Sequence, residues 1–436
     1  MAEETFRSAV PPYEGPLPKS RAHDEMLGNG EVFNNCKISY GLPFTSACAK
    51  HAEETFHAQH VFTISSATLA RSTTALKDLQ SALGTKAGGV KIGVKAHTYL
   101  DEVIAIAEEC RTLQVDLIVT LGGGSVSDCG KMVALISAPG SCERCQAISR
   151  LPEAPHRGNQ GHTASRQVAD GPVVCIATTL SGGEFTLAAG ATDDRDDKKY
   201  QFIVGPAIQL VIFDAKLVTD HTPLSLLLPS GIRAVDHCVE TLCSLLCNEV
   251  TEMHAANSLQ QLVPALLRSK ADDLKTDVEA RHLCQMASVD AIASFRVYTP
   301  CGASHAIGHM LGPFGVGHGQ TSGILLPAVC KYNALHRANL DRQAIVTTIL
   351  WGVPEMRRLA ESKGLKEDRA DLGDLLDVLV RALGMPRTLA EVGMRRERLD
   401  QLAEYSLLDV WSATNPVPLT EKAQVMEILE MVAGDR

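Results

Sequence analysis

The chain has 436 residues, 45% of them hydrophobic, and its 41 Lys and Arg against 51 Asp and Glu give a formal net charge of −10. A domain commonly takes about 100–200 residues, so this length predicts two or three domains. The acidic balance argues against a nucleic-acid partner, because binding to a phosphate backbone depends on clustered Lys and Arg.

Cysteine usage and the lack of long apolar runs indicate the compartment. The 13 Cys are scattered and include one CxxC, Cys142–Cys145, which without a second pair does not make a zinc ribbon. Residues 1–30 have no apolar signal-peptide core, and no run approaches the roughly 18 apolar residues of a membrane span. We therefore expect reduced thiols, no membrane association and a cytoplasmic location.

The first half of the chain alternates strand-like and helix-like runs after an N-terminal extension, residues 1–36. This alternation is typical of βαβ units and predicts a parallel sheet covered on both faces, so residues 37–224 form an α/β domain. The predicted strands are Val61–Ser65, Val90–Val94, Asp116–Leu121, Val173–Ala177 and Gln209–Phe213. The predicted helices are Ala67–Leu83, Tyr99–Leu113 and Val126–Ile136. Residues 139–172, rich in Pro, Gly, His and Arg, have no periodicity and indicate a surface excursion.

The β pattern stops after Pro223, and runs with a period of 3.6 residues follow. Residues 225–436 are therefore predicted to form an all-helical domain. Its expected helices are Gly231–Cys247, Thr251–Arg268, Val278–Phe295, Thr321–Leu335, Leu375–Leu383 and Lys422–Val432.

A glycine-rich turn joins the third predicted strand to the helix after it, with the sequence GGGSVSD at Gly122–Asp128. Consecutive glycines let a ligand approach the backbone, and the N-terminus of the helix offers N–H groups and a positive dipole to an anion. The turn is a candidate pyrophosphate cradle. It departs from the GxGxxG fingerprint, because Ser127 takes the place of the third glycine. A tight βα turn that needs glycine is the structural alternative.

A second loop with hydroxyls and glycines, Thr178–Thr186, follows the fourth predicted strand. Open α/β sheets bind ligands at the carboxyl ends of their strands. Two such loops in one sheet suggest that they share one ligand.

The helical half carries histidines at helical spacing. Arg233 and His237 are four residues apart, as are His305 and His309, so each pair shares a helix face. His318 follows in a Gly-rich segment. A single histidine on a helix is more often structural, but four in this arrangement favour a metal or proton-transfer site.

In this combination and order, the motifs resemble the iron-containing alcohol dehydrogenase superfamily and, within it, the maleylacetate reductase branch. The resemblance extends from about Lys37 to Leu429. It implies a dehydroquinate synthase-like or iron alcohol dehydrogenase-like fold, in which a dinucleotide domain is followed by a helical domain. The motifs that carry it are Gly122–Asp128, Thr178–Glu184, Ser230–His237, His305–His318, Val211–Asp214 and Thr414–Pro416.

The resemblance implies NADH or NADPH as the cofactor. Residues implied on the pyrophosphate and nicotinamide side are Gly123, Gly124, Ser125 and Asp128, and those around the ribose and ring are Thr178, Thr179, Thr186 and Lys199. NAD-preferring relatives often carry an Asp after the first strand, where this chain has Ser65 and Ser66. Because no carboxylate there would repel a 2′-phosphate, we expect that NADPH is not excluded.

Metal-dependent relatives complete a site of one Asp and three His, which would correspond here to His237, His305 and His318. The Asp position holds Arg233, whose permanent positive charge opposes a divalent cation. Asp236 is a poor substitute, since it lies about 100° around the helix from His237. Iron or zinc is therefore disfavoured, although three histidines can hold zinc. An ion pair between Arg233 and Asp236 is the structural alternative for the arginine.

These features predict an oxidoreductase that reduces a ketone or an unsaturated oxo acid with NAD(P)H, without a catalytic metal. Arg233 would clamp a substrate carboxylate or stabilise an enolate, and His309 or His305 would donate the proton. A lyase or isomerase that reuses the fold for acid–base chemistry is the alternative, and a non-catalytic dinucleotide-binding protein is a third. A small-molecule substrate and, by analogy with the family, a homodimer are expected.

Overall fold

The computed structural model describes residues 3–10, 36–95, 98–137, 171–186, 188–193, 199–204, 207–293 and 299–434. The described residues fall into two compact units, one ending at Thr222 and the other beginning at Pro223. Among the helices that the structure describes, none combines the length and the apolar character that crossing a bilayer requires.

The first unit contains a seven-stranded sheet and a separate two-stranded hairpin, β7–β8. The sheet order is β1-β2-β9-β6-β5-β3-β4, and every pairing is parallel except that of β1 with β2. The strands are β1 Thr5–Ser8, β2 Lys37–Tyr40, β3 Val61–Ser65, β4 Ala87–Ile92, β5 Leu117–Gly122, β6 Val173–Ala177, β7 Ala188–Thr192, β8 Lys199–Ile203 and β9 Ile208–Phe213.

Helices complete the first unit and bury the central strands. Strands β3, β5 and β6 are buried along their whole length, as expected for a parallel sheet covered on both faces. The helices are α1 Phe44–Glu54, α2 Ala67–Ser72, α3 Ala75–Leu83, α4 Leu100–Thr112, α5 Gly124–Ser137 and α6 Ala215–His221. The predicted α/β architecture with a parallel sheet is confirmed.

This unit differs from the predicted pattern in several places; strand β4, for instance, is Ala87–Ile92 where Val90–Val94 was predicted, and the hairpin β7–β8 was not predicted. Residues 5–8, which the sequence places in an extension, add the antiparallel edge strand β1. The predicted helix Ala67–Leu83 is divided into α2 and α3, because Thr73 is extended and its hydroxyl donates to Leu69 O at 2.6 Å. Such a local hydrogen bond competes with a continuous helix.

The second unit is built from helices, as predicted. They are α7 Leu224–Cys243, α8 Glu249–Ala271, α9 Val278–Ala291, α10 Ala303–Leu311, α11 His318–Leu335, α12 Leu340–Gly352, α13 Pro354–Ser362, α14 Leu372–Ala382, α15 Leu399–Ser406 and α16 Lys422–Val432. Helix α10 packs against α7, α11 and α15. A core of residues such as Ile307, Leu325, Leu402 and Ile428 lies among α10, α11, α15 and α16.

Helix α7 begins seven residues before its predicted start at Gly231, because it includes Pro229. A Pro inside a helix usually ends or kinks it. Helix α11 approaches α7 closely here: a Cβ on Gly319 would lie 2.3 Å from Pro229 O. The glycine near the start of α11 therefore permits the contact that holds α11 against α7.

Candidate active site

The carboxyl ends of three neighbouring strands bring the predicted cofactor residues of the first unit together. Ser66 N donates to Leu121 O at 2.9 Å, and Thr178 N donates to Gly122 O at 3.0 Å. Strands β3, β5 and β6 thus end side by side, with Ser66 after β3 and one of the two predicted loops after each of the others. This is the edge at which open α/β sheets bind ligands.

The glycines of the first loop make room for the second. A Cβ on Gly123 would lie 2.7 Å from Thr179 Cγ2, and a Cβ on Gly124 would lie 3.0 Å from Ser181 Oγ. Helix α5 begins at Gly124, and Ser125 is exposed in its first turn. Two loops in contact beside the N-terminus of a helix form a surface that suits the pyrophosphate of a dinucleotide.

Lys131 joins the two loops and was not found in the sequence analysis. It is 1% exposed, and its Nζ donates to Gly183 O at 2.8 Å and to Thr186 Oγ1 at 3.3 Å. It also pairs with Asp128 Oδ1 at 2.8 Å. Asp128 and Thr186 are therefore tied to Lys131, which fixes the second loop on α5. The signal in the sequence was the three-residue spacing from Asp128 to Lys131.

The structure gives less detail for the other predicted cofactor residues. Ser66 Oγ accepts from Leu69 N at 3.3 Å and caps α2. No Asp lies at the end of β3, where the strand closes with Ser65. Lys199 begins β8, but its side chain lies outside the described residues, as does the segment 138–170.

The second unit gathers the predicted histidines. Helix α7 carries His237, and α10 carries His305 and His309 on one face. The His237 and His305 rings stack with centroids 4.7 Å apart, and the His305 and His309 rings meet edge-on at 6.3 Å. Burial, together with Arg233 and His309, holds the pKa of His237 well below its ordinary value, so this ring is neutral at pH 7. His318 begins α11, and its side chain lies outside the described residues.

Arg233 lies among these rings and is almost buried. Its Nη1 donates to Ser322 Oγ at 3.2 Å and lies 3.6 Å from Asp236 Oδ2. Its Nη2 lies 3.4 Å from His309 Nε2. Gly308 leaves room for Thr321, since a Cβ there would lie 2.9 Å from Thr321 Oγ1, whereas its distance of 3.7 Å from Arg233 Nη1 would be an ordinary contact.

Asp236 is the buried counter-ion of Arg233. Its Oδ2 accepts from Ser322 Oγ at 2.6 Å and from Ser304 Oγ at 3.0 Å. Burial raises the pKa of Asp236 to about 6, although Arg233 and the two hydroxyls act in the opposite direction. The ion pair considered from the sequence is thus present, as part of a network in which two serines also hold the carboxylate.

Glu240 orients His305 and was not found in the sequence analysis. Its two oxygens accept from Gly302 N at 2.9 Å and Ser304 N at 2.8 Å, which satisfies the N-terminus of α10. Its Oε2 also lies 2.7 Å from His305 Nδ1. Burial and the nearby Asp236 raise the pKa of Glu240. His305 is 0% exposed, so its ring is placed to support its neighbours rather than to meet a substrate.

His309 has its own carboxylate partner, Asp409. Its Nδ1 donates to Asp409 Oδ2 at 2.9 Å, while Asp409 Oδ1 accepts from Trp411 N at 2.9 Å. The Trp411 ring lies 5.0 Å from the His309 ring. The His309 side chain is 19% exposed, so it is the histidine of this pair that a substrate can reach.

The donor set around Arg233 does not fit a divalent cation. The guanidinium takes the place of the carboxylate ligand that the resemblance implies, and a cation beside it would meet like charge. Among the described residues, Glu240, Cys301 and His305 form the group whose ligand atoms lie within 4.8 Å of one another. Glu240 there already accepts from two backbone N–H groups and has His305 Nδ1 within 2.7 Å. Burial also raises the pKa of the Cys301 thiol well above its ordinary value, which opposes the thiolate that binds metal.

Comparison with known proteins agrees with the fold and the motifs. Residues 43–215 match the family Iron-containing alcohol dehydrogenase, and residues 228–433 match the family Fe-containing alcohol dehydrogenase, C-terminal. Dehydrogenase FUM7 of Gibberella moniliformis is 37% identical over 416 residues, covering 91% of this chain and 96% of that protein.

Two solved structures share the fold. Maleylacetate reductase from Rhizobium sp. has a TM-score of 0.68 at 22% identity, covering 90% of this chain and 95% of that one. Sulfoacetaldehyde reductase from Bifidobacterium kashiwanohense, in complex with NAD+, has a TM-score of 0.72 at 18% identity, covering 93% and 99%. On its motifs, fold and matched length, the chain belongs to the iron-containing alcohol dehydrogenase family, in its maleylacetate reductase-like branch, and is an oxidoreductase.

Proposed function

We propose that the protein is an NAD(P)H-dependent reductase of a ketone or an unsaturated oxo acid and that it works without a catalytic metal. One observation carries this proposal: a guanidinium, held by Ser322 and Asp236, lies among the histidines. A positive group at this place can stabilise a negatively charged oxygen in the substrate, which is the work of a Lewis-acidic cation in metal-dependent catalysis.

The glycine loop and the loop after β6 would hold the cofactor. Gly123 and Gly124 allow backbone approach to the pyrophosphate, and Thr178 and Thr179 lie beside them. When bound, the reduced nicotinamide supplies the hydride. Because Ser66 stands where a carboxylate would repel a 2′-phosphate, both NADH and NADPH are proposed to bind.

His309 is proposed as the proton donor. Asp409 accepts the Nδ1 proton of His309, so proton exchange takes place at Nε2. His305 is enclosed and hydrogen-bonded to Glu240, so it supports the site as a positioning residue. A general acid of this kind commonly contributes about 10²- to 10⁴-fold to the rate.

A cofactor titration followed by an activity assay tests the proposal. NADH and NADPH are titrated against intrinsic protein fluorescence, and cofactor oxidation is then followed by absorbance with maleylacetate, 4-oxopentanoate and 2-pentanone. We expect binding of both cofactors and oxidation with at least one probe. Binding without oxidation, together with conversion of maleylacetate to an isomer or cleavage product, would support the lyase or isomerase alternative instead. A chain that binds neither cofactor would contradict the proposal.

A further inference from the structure

We propose that Trp411 determines which substrates reach His309, and that the preferred substrate is a ketone with an apolar alkyl or aryl group where an oxo acid has a carboxylate. This inference rests on the proposed function and makes it more specific, because that proposal leaves both a ketone and an unsaturated oxo acid open. Trp411 belongs to none of the motifs found in the sequence, so its role follows from the structure.

Trp411 lies beside the proposed proton donor. Its ring centroid is 5.0 Å from that of His309, with the two ring planes 37° apart, and 5.5 Å from that of His305. The two imidazoles differ in access, since His305 is fully buried whereas the side chain of His309 is 19% exposed. Trp411 is half-buried, so both rings of the contact between Trp411 and His309 are partly open. A ligand that reaches His309 therefore meets the indole as well.

One carboxylate fixes this arrangement. Asp409 Oδ2 accepts from His309 Nδ1 at 2.9 Å, and Asp409 Oδ1 accepts from the backbone N–H of Trp411 at 2.9 Å. Asp409 is itself buried. The turn that carries the indole, Val410–Ser412, also packs against helix α10, which carries His309. The indole is therefore held in a defined place relative to the imidazole, as a residue that selects substrates must be.

The chemistry of the indole indicates the kind of group that it accepts. The face of an aromatic ring carries the negative part of its quadrupole, which repels an anion that approaches it. An apolar group, in contrast, is stabilised there because contact removes apolar surface of both partners from water. Val410, the residue before Trp411, is 43% exposed and adds further apolar surface to the same turn. This turn therefore suits an alkyl or aryl group and opposes a carboxylate.

The charges around the histidines of α10 also favour a neutral substrate. In their described contacts, the guanidinium of Arg233 is accompanied by three carboxyl groups, those of Asp236, Glu240 and Asp409. With a proton on Glu240, the two other carboxylates still outnumber this cation. Like charges repel strongly where burial excludes water. A dianion such as maleylacetate would bring two more negative charges to this region, whereas a ketone brings none.

Ratios of kcat/KM between matched substrates test the inference, because a displaced His309 slows every substrate alike, whereas a lost apolar contact slows the apolar ones. The substrates are acetone, 2-pentanone and 4-oxopentanoate. 2-Pentanone has two methylenes more than acetone, and 4-oxopentanoate has a carboxylate in place of its terminal methyl. Each is assayed with the wild type, Trp411→Ala and the conservative variant Trp411→Phe. Trp351→Phe is the matched control, since it replaces the other Trp of the chain, which is buried in α12.

The wild type should prefer 2-pentanone to both acetone and 4-oxopentanoate by about tenfold or more in kcat/KM, since apolar contacts commonly discriminate to this extent. Trp411→Ala should reduce both preferences by about tenfold, Trp411→Phe should retain most of them, and Trp351→Phe should leave them unchanged. Preferences that survive in Trp411→Ala would overturn the inference. A wild type that uses 4-oxopentanoate as efficiently as 2-pentanone would overturn it too.

A binding measurement separates this inference from the proposed function. The chain has two Trp, so Trp351→Phe leaves Trp411 as the reporter, and its emission should shift to shorter wavelength when an apolar group excludes water from the indole. 2-Pentanol and 4-hydroxypentanoate, the alcohols corresponding to two of the substrates, are titrated without cofactor. We expect a saturable shift with 2-pentanol and at least about tenfold weaker binding of 4-hydroxypentanoate.

The outcomes of this titration are distinct. Equal or tighter binding of 4-hydroxypentanoate, or no saturable shift with 2-pentanol, would overturn the inference whether or not the chain oxidises a cofactor. The expected binding in a chain that oxidises neither NADH nor NADPH would support the inference about Trp411 and would count against the proposed function alone.

Discussion

At the scale of single residues, three carboxylates hold the site together, and only Asp236 could be proposed from the sequence, as the partner of Arg233, whereas Glu240 and Asp409 could not. The spacing of His305 and His309 predicted that they share a face, and Arg233 was recognised as a departure from the expected ligand. Asp409 could not be found in this way, because it lies 100 positions after His309 and their contact depends on tertiary folding. Histidine spacing within one helix is local information, whereas the carboxylate that fixes each imidazole comes from another helix or loop.

The ionisation of Glu240 predicts how the stability of the protein depends on pH. The pKa of Glu240 is raised to about 8, with burial as the largest cause and Asp236 next. The folded chain therefore retains a proton that the unfolded chain loses near the ordinary carboxyl pKa. Stability from this group is present below about pH 4.5 and is lost as the pH rises through about 8.

Urea unfolding of Glu240→Gln beside the wild type measures this effect. At pH 5 we expect the variant to be less stable by about 1 kcal/mol, because an amide replaces one of the two acceptors that cap α10. The wild type loses stability as the pH rises and Glu240 ionises, whereas Gln cannot ionise. The difference in free energy of unfolding between the two proteins should therefore be smaller at pH 8 than at pH 5. A difference that widens with pH would show that the folded state prefers the ionised carboxylate and would contradict the account.

At the scale of elements, most strands and long helices could be predicted from periodicity. Strand Val61–Ser65 and helix Lys422–Val432 were predicted at their observed bounds. The failures have physical causes. Helix α7 begins at Leu224 and includes Pro229, although the sequence predicted a start at Gly231. The predicted helix Ala67–Leu83 is interrupted at Thr73, whose hydroxyl donates to Leu69 O.

At the same scale, we expect cofactor binding to depend on the contact between the loops Gly122–Asp128 and Thr178–Thr186. A Cβ on Gly123 would lie 2.7 Å from Thr179 Cγ2, so Gly123→Ala must shift Thr179 in the loop after β6. Such overpacking costs about 1–3 kcal/mol, which corresponds to an expected loss of about tenfold or more in NADH and NADPH affinity. Fluorescence titration gives the affinities.

Gly352→Ala is the control for that prediction. Gly352 closes helix α12, and a Cβ there would meet nothing within 4 Å. The Gly352→Ala variant should bind both cofactors as the wild type does, and its helix α12 should be slightly more stable. Equal affinities in Gly123→Ala and Gly352→Ala would mean that the contact between the two loops does not shape the cofactor site.

At the scale of the whole molecule, the division into a sheet-containing unit and a helical unit could be predicted, because the hydrophobic period changes from strand-like to helix-like near Pro223. The edge strand β1 could not be predicted, because the side chains of its four residues are all exposed and so show no alternation between buried and exposed positions. The family assignment agrees with both units, and the departure at Arg233 lies in the helical one. The central claim is therefore that the chain retains a dehydrogenase fold while a guanidinium replaces the metal.

Metal content measured beside activity tests that claim most directly. The protein is purified without chelators, analysed for iron and zinc by mass spectrometry, and assayed for NAD(P)H oxidation with the probe it reduces fastest. The assay is repeated after dialysis against EDTA and after adding back each metal. The account predicts substoichiometric metal and a rate that neither treatment changes. Iron or zinc near one per chain, with activity lost on chelation and restored by that metal, would contradict it.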